Sequence, residues 1–560
     1  MTRDKFFENT KIQNGAGFRI ENNILKGDEV HFNVNYNNVG RLVLDKLESN
    51  PDAPSQIDTA TGKVYACKEV RERSVRCALW MRSQGLLPRD VVAICSEHHL
   101  DAALPYFASL YLGATFSLSS TSLEIADFHH RFTILGPKMI FVSENAVAAV
   151  TAAVKAAKID PKIIVFGQSS GFLDFESAIA EPSADQVRNF ECTPIESSRE
   201  TASIMFSAGT TGLSKAAEIS HASLLMQACA TSEQFGMAGK ICLHFGIFDW
   251  ITAMHFTFMS LCLGIPRLIV KAFEEQSACA LMEKYKVNWV FMSPSMINKL
   301  VKSNALETHD LSSLNRFMYA GAPLSATSYE ALVKHLPKAQ ITGAYGMTEL
   351  GGYLAIQPTN SRPDQGSCGK ILENAQVKVI DPDSGRILGT GEKGELLLRT
   401  AFMINSYYKN PEATAKIIDK EGWIHSGDLG YYDENGNIFV IDRMKELIKY
   451  HDHHIYPSEI ESLLLTHPRV KEVAVVGQPR PGADDRLMAF VVTTVNSYNI
   501  SDEVIKAELV DLVAAELSDY KQLRGGVSFL EHMPKSPAGK IRREKLRQLA
   551  RYMLRAEAAA

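Results

Sequence analysis

The chain has 560 residues, 46% of them apolar and 22% charged, with a formal net charge of −5. That length exceeds one compact domain, and the balanced composition excludes a fibrous or disordered chain. The mild acidity excludes a nucleic-acid binder held by a general basic surface, and the nine cysteines show no C-x-x-C or zinc spacing, so they read as reduced thiols of a cytoplasmic-type compartment.

Residues 1–55 are polar and mixed and read as a surface lead-in, with no apolar run near the N-terminus to suggest a signal peptide. From Val64 onward, apolar strands alternate with amphipathic helices. Strands are expected at 91–95, 139–142, 162–166, 204–206, 268–270, 289–292, 317–319 and 340–342. Helices are expected at 100–112, 146–157, from 220, at 278–285 and at 325–335. This alternation predicts parallel sheets covered by helices on both faces. The most hydrophobic window, 251–266, contains His255, Thr257 and Ser260 and is cut by Gly264 and Pro266. It reads as a buried helix, not a membrane span.

After residue 365, glycines punctuate short strands, and Asp433-Glu-Asn-Gly436 is a hairpin signal. An antiparallel barrel or small sheet is expected there. Past Lys445 the pattern becomes a compact α+β unit, with helices from 457, at 502–518 and from 542, and strands at 473–476, 489–492 and 527–530. The boundary falls near 442–447.

Four polar, glycine-punctuated stretches follow apolar runs. Ser203-Ile-Met-Phe-Ser-Ala-Gly-Thr-Thr-Gly-Leu-Ser-Lys-Ala-Ala217 carries glycines, hydroxyls and one lysine. It reads either as a phosphate grip, with backbone N–H groups converging on an anion, or as a polar strand-to-helix loop; it is not a Walker A loop. Tyr319-Ala-Gly-Ala-Pro323 lets a flat ring approach the backbone, or is a plain turn. Gly343-Ala-Tyr-Gly-Met-Thr-Glu349 sets a hydroxyl beside a carboxylate, suited to a phosphate oxygen and Mg2+, or is a helix cap. Gly422-Trp-Ile-His-Ser-Gly-Asp428 with Ile441-Asp-Arg-Met-Lys445 brackets a hairpin with an Asp and an Arg, suited to a ribose or to a structural ion pair.

Together these stretches change the reading. Phe206-Ser-Ala-Gly-Thr-Thr-Gly212 with Lys215, Gly321-Ala-Pro323, Tyr345-Gly-Met-Thr-Glu349, Trp423-Ile-His-Ser-Gly-Asp428, Asp442-Arg443 and Pro534-Lys-Ser-Pro-Ala-Gly-Lys540 stand in order over about residues 60 to 548. They resemble the adenylate-forming superfamily of acyl-CoA synthetases, 4-coumarate–CoA ligases, beetle luciferases and peptide-synthetase adenylation domains. Asn410-Pro-Glu-Ala-Thr414 and Ile448-Lys-Tyr450 resemble the ligase and luciferase-like branch.

The resemblance implies an α/β fold. A large N-terminal adenylation domain, 1–443, would hold two α/β layered subdomains plus a small β-barrel, followed by a mobile α+β C-terminal domain, 444–560. It implies an acid–CoA ligase. ATP and a small carboxylic acid, fatty or aryl, give an acyl-adenylate, and coenzyme A then takes the acyl group. Lys540 matches the catalytic lysine, Thr348 the α-phosphate ligand and Glu349 the Mg2+ ligand. Asp428 and Arg443 match the ribose contacts. Gly321, Ala322, Pro323 and Tyr345, with Gly346 and Met347, match the adenine side. Ser207, Ala208, Gly209, Thr210, Thr211, Gly212 and Lys215 match the phosphate grip, and His221 a supporting position. Lys445 matches the hinge. Catalytic roles fall to Lys540, Thr348, Lys445 and His454. Acyl contacts are expected from Asp249, Trp250, Gly321, Gly346 and Tyr353, and coenzyme A contacts from Lys449, His451 and Asp452. No nucleic acid or membrane span is expected, and the protein should be a cytoplasmic monomer or homodimer. Peroxisomal relatives carry a terminal Ser-Lys-Leu, which differs from Ala-Glu-Ala-Ala-Ala here.

The chain also departs from the pattern. The usual second serine of the grip is Ala208, and Pro-Lys-Gly becomes Ser214-Lys215-Ala216. In Lys449-Tyr-His-Asp-His-His-Ile-Tyr-Pro457, His451, Asp452 and His454 replace a basic residue, a glycine and a glutamine. Asp249 and Trp250 take positions read as those of a His-His-Gly motif, and Tyr353 stands where many relatives have a small residue. These departures keep two alternatives open: adenylation followed by luciferase-like oxidation or another acceptor, and a catalytically weak nucleotide-binding regulator.

Overall fold

The computed structural model describes residues 9–11, 17–32, 36–207, 213–357, 366–450, 453–480, 483–494, 500–535 and 540–559. The first sheet has seven strands in the order Leu173–Asp174, Lys162–Phe166, Met139–Ser143, Val91–Cys95, Thr115–Ser119, Thr201–Ser207 and Lys215–Ser220. All neighbours pair in parallel except the last two, which are antiparallel. Its central strands, Val91–Cys95, Thr115–Ser119 and Met139–Ser143, are buried at every position. Both faces are therefore covered, as continuous apolar runs in a parallel sheet require.

The second sheet begins in the same style. Cys242–His244, Trp289–Met292, Arg316–Ala320 and Gln340–Met347 pair in parallel. It then turns antiparallel through Gly352–Ile356, Ser367–Ile371, Asn437–Arg443, Ile424–Tyr432, Gly394–Thr400 and Ala375–Ile380. The antiparallel part curls on itself: a Cβ on Gly27 would lie 1.9 Å from the Leu372 carbonyl oxygen. Inside the curl, Leu25, Leu354, Val377, Leu398, Ile424 and Ile438 form one buried cluster. The Asp433–Asn437 turn joins two of its strands, with Gly436 at φ 76°.

The lead-in expectation is overturned. Ile24–Gly27 pairs with Ala375–Ile380, and the helix Val39–Ser49 buries Val39, Leu42, Val43, Leu44 and Leu47 to 2% exposure or less. The strand is short, the helix carries its apolar face inside a polar stretch, and the partners of both lie far along the chain. The strand-to-helix reading of the first glycine-rich stretch is corrected too. Thr201–Ser207 leads into a second strand, Lys215–Ser220, paired back on the first, and only then into the helix His221–Gln234.

The helix Ile251–Leu263 is apolar on nearly every face and ends at Gly264 with φ 64°, the left-handed cap that glycine supplies without steric cost. Among the described residues, no helix is long and apolar enough to cross a membrane. The segment from Ile448 onward builds on the hairpin Ile448–Tyr450/His453–Ile455 and a three-stranded sheet, Val470–Arg480, Ala483–Thr493 and Val527–Phe529. The helices Pro457–Thr466 and Asp502–Glu516 bury Ile460, Leu464, Ile505, Leu509 and Val513 against one side of it. The helix Arg543–Ala559 covers the other side with Leu546 and Ala550. Arg543 ties this unit together, with Nη1 and Nη2 at 2.5 and 2.8 Å from the Glu461 carboxylate.

Candidate active site

The site gathers where three strand ends meet the α+β unit. Gln340–Met347 delivers Tyr345, Gly346 and Met347, and the short turn Thr348–Leu350 follows directly. Gly346 has no room for a side chain: a Cβ there would stand 2.3 Å from the Gly352 carbonyl oxygen and 2.9 Å from the Tyr353 Cα. Tyr353 sits opposite Gly346 on the neighbouring strand. Its ring meets Phe235, with centroids 4.8 Å apart, and desolvation holds its phenol above the ordinary pKa.

Asp428 and Arg443 lie directly opposite one another on paired antiparallel strands. Arg443 Nε is 2.7 Å from Asp428 Oδ1, and Arg443 Nη1 donates to the Ser426 carbonyl oxygen at 3.1 Å. The Tyr345 hydroxyl donates to Asp428 Oδ2 at 2.5 Å. Asp428 is 2% exposed, and desolvation pushes its carboxyl above the usual range while Arg443, Tyr345, Lys540 and Lys445 pull it back. A buried carboxylate persists only with such partners.

Glu349 is 6% exposed, and its Oε1 accepts the Tyr407 hydroxyl at 2.6 Å. Tyr407 arrives on the segment that continues the first sheet, where Tyr408 N–H donates to the Ala216 carbonyl and Glu218 N–H to the Ser406 carbonyl. Lys215 Nζ stands 5.1 Å from the Tyr407 ring centroid, a cation–π contact. The sequence reading passed over Tyr407. It lies three residues before the quoted Asn410 motif, but nothing local shows that it meets a carboxylate 58 positions away.

Lys540 comes from the far end of the chain into this group. Its ammonium interacts electrostatically with Arg443, Glu349 and Asp428. Desolvation comes first and lowers its pKa, Arg443 lowers it further, and the two carboxylates oppose the shift. Lys445, exposed along much of its length, is brought down to about 8 by desolvation and then by Arg443, with Lys215 adding to the repulsion.

Gly321, Ala322 and Pro323 are exposed at the end of Arg316–Ala320. Gly321, at φ 94°, has no atom within 4 Å of where a Cβ would stand, which leaves an open edge beside Tyr345. Ala208, Gly209, Thr210, Thr211 and Gly212 lie outside the described residues, as do His451 and Asp452. Lys449 and His454 stand opposite one another on the hairpin. His221 is 1% exposed, and its Nδ1 accepts from Val39 N–H at 3.2 Å, so it supports the buried helix Val39–Ser49. Desolvation takes its pKa to about 4, which keeps the ring neutral.

One of the residues expected at the acyl pocket has a charged partner within the protein. Asp249 is 8% exposed; its Oδ2 pairs with Arg131 at 3.0 Å, and its Oδ1 is buried without a hydrogen-bond partner in the protein. Trp250 stands in extended conformation at the residue preceding the helix Ile251–Leu263, with no side-chain hydrogen bond to the helix end. Among the described residues, no group of three or more His, Cys, Asp or Glu could hold a metal ion by itself.

Comparison with known proteins identifies the family. A family model of AMP-binding enzymes matches residues 44–408, and that of the AMP-binding enzyme C-terminal domain matches 459–540. The chain belongs to the AMP-binding, adenylate-forming enzymes. Luciferin 4-monooxygenase of Photuris pensylvanica is 34% identical over 86% of this chain and 89% of its own length. 4-Coumarate–CoA ligase 2 of Oryza sativa subsp. japonica is 31% identical over 89% and 90%. Among solved structures, the luciferase-like enzyme of the nonluminescent mealworm Zophobas morio is 34% identical, with a TM-score of 0.71 over 76% of this chain and 99% of that one. ATP-bound MatB of Rhodopseudomonas palustris, 22% identical, shares the fold with a TM-score of 0.81 over 92% and 99%. As an adenylate-forming enzyme the chain has relatives of both ligase and luciferase type.

Proposed function

We propose that this adenylate-forming enzyme is an ATP-dependent acid–CoA ligase, with domains 1–443 and 444–560 moving about Lys445. The observation that carries the reading is the electrostatic meeting of Lys540 with Glu349, Asp428 and Arg443. An anionic carboxylate attacks an anionic α-phosphate in the first step, so the site must offset like-charge repulsion. Lys540 supplies the cation that lies between the two anions, and Thr348 donates its hydroxyl to the α-phosphate. Asp428, braced by Arg443 and Tyr345, accepts the ribose hydroxyls. Gly321, Ala322 and Pro323 leave a flat edge for adenine. The segment from Ser207 to Lys215 handles the departing pyrophosphate.

Mg2+ fits the donor set. Glu349 offers a buried carboxylate with one oxygen committed to Tyr407, and substrate phosphates would complete an oxygen shell of the kind this ion takes. Mg2+ would neutralise phosphate charge there. The second step delivers the acyl group to coenzyme A, and the residues of the 449–454 stretch, Lys449, His451, Asp452 and His454, are assigned to that step. A screen of acid-dependent pyrophosphate release over fatty, aryl and short-chain acids, with and without coenzyme A, tests this reading. Thioester formation is the expected outcome, and tight ATP binding with no pyrophosphate release from any acid overturns it.

A luciferase-like fate of the adenylate is the second reading. It is favoured by the 34% identity to a luciferin 4-monooxygenase. Oxygen consumption by an adenylate trapped without coenzyme A, with no thioester when coenzyme A is added, would select it.

A further inference from the structure

The helix Ile125–Leu135 touches both ends of the phosphate-grip motif. At the exit, His130 Nε2 lies 2.8 Å from the Ser214 carbonyl oxygen. That oxygen can only accept, so Nε2 carries the proton. At the entrance, the next residue, Arg131, is 7% exposed, and its guanidinium carbon stands 4.7 Å from the centroid of the Phe206 ring, immediately before Ser207. Arg131 Nη1 donates to the Leu118 carbonyl at 3.2 Å and to Ser119 Oγ at 3.0 Å, and Nη2 pairs with Asp249. Such a buried cation is held firmly by its carboxylate and its acceptors. On the same helix, Asp127 lies 3.9 Å from Arg542, two residues beyond Lys540.

We propose that His130 and Arg131 are positioning residues that brace the two ends of the phosphate motif, and that Asp249 acts through Arg131 instead of selecting the acyl group. The proposal rests on reading the 207–215 segment as the pyrophosphate grip. Backbone N–H groups aim at an anion only when the strands that present them are fixed. Here one helix fixes both, by a hydrogen bond at one end and a cation–π contact at the other. Asp249 belongs to a different segment, and it supplies the countercharge that keeps the guanidinium under Phe206.

The test measures KM for ATP, kcat for pyrophosphate release and acid preference in His130→Ala, His130→Gln, Asp249→Asn and Thr211→Ala, each with its melting temperature. His130 is only partly buried, so its variants are expected to fold. Loss of one hydrogen bond predicts a rise in KM for ATP of about three- to tenfold in His130→Ala. Gln can still donate to Ser214, so His130→Gln should return to the wild-type value. Asp249→Asn should raise KM for ATP and leave the ranking of acids unchanged. If Thr211→Ala raises KM for ATP but His130→Ala does not, the brace is refuted while the grip stands. A reordered acid preference in Asp249→Asn, with unchanged KM for ATP, returns that residue to the acyl pocket and refutes its part. If Thr211→Ala itself leaves KM for ATP unchanged, the grip reading fails and the brace falls with it.

Discussion

Lys540→Ala removes one cation from a group in which Glu349 and Asp428 already balance Arg443 and Lys540. Two unit charges about 4 Å apart at an effective dielectric near 20 interact by about 4 kcal/mol. A preorganised donor facing a developing oxyanion contributes about 3–4 kcal/mol in other enzymes, or 10²–10³ in rate. Both routes give the same size, so kcat for acid-dependent pyrophosphate release should fall by about 10²–10³. Asp428 keeps Arg443 at 2.7 Å and Tyr345 at 2.5 Å, so the charge left behind is not orphaned. Desolvation of the Lys540 ammonium disfavours its charged form in the folded protein, so removing it should hardly move the melting temperature. The assay pairs pyrophosphate release at saturating ATP with thioester formation from supplied acyl-adenylate and coenzyme A. The first should collapse and the second should stay within a few-fold. A Lys540→Ala enzyme that adenylates at the wild-type rate refutes the assignment.

Three further outcomes follow from the geometry. Tyr407→Phe strips a hydrogen bond from buried Glu349, so it should destabilise by about 1–3 kcal/mol and raise the Mg2+ concentration needed for half-maximal rate; an unchanged Mg2+ titration counts against Glu349 as the metal ligand. Gly346→Ala drives a Cβ to 2.3 Å from a backbone oxygen, so the strand pair must open, and both thermal stability and nucleotide binding should drop together; a variant with wild-type stability contradicts the described register. Lys445 titrates near 8 in the folded protein against 10.5 ordinarily, so the unfolded chain holds more protons between those values. Its contribution to stability therefore rises with pH from about 8 to 10.5, and the melting temperature of Lys445→Gln should lack that rise. Parallel pH profiles for the two proteins would remove the basis for a depressed lysine.

Much of the architecture is legible from local patterns. The strand at 91–95 is apolar at every position, and a run of that length between turn residues marks a strand buried on both faces. The Asn-Gly hairpin between Tyr432 and Ile438 needs only its own turn chemistry, and because it brings Asp428 opposite Arg443, that pairing was foreshadowed too. The helix Val39–Ser49 has an amphipathic face, yet it sits in a polar stretch whose core partners come from distant segments, so its burial was missed. The antiparallel return of Lys215–Ser220 was missed for a similar reason: a glycine-rich turn leads to a strand or to a helix with equal local logic.

The sequence by itself determined the order of layers, the change from parallel to antiparallel texture, and the identity of the charged and hydroxyl groups in each motif, because these depend on residue type and short-range period. Only the tertiary structure decided which of those groups meet. Tyr407 on Glu349, Asp249 under Arg131, His130 on Ser214 and Lys540 beside Asp428 join segments from 58 to more than 110 positions apart. A contact of that kind leaves no periodic trace in the chain, since its energy comes from two surfaces brought together by the packing of everything between them.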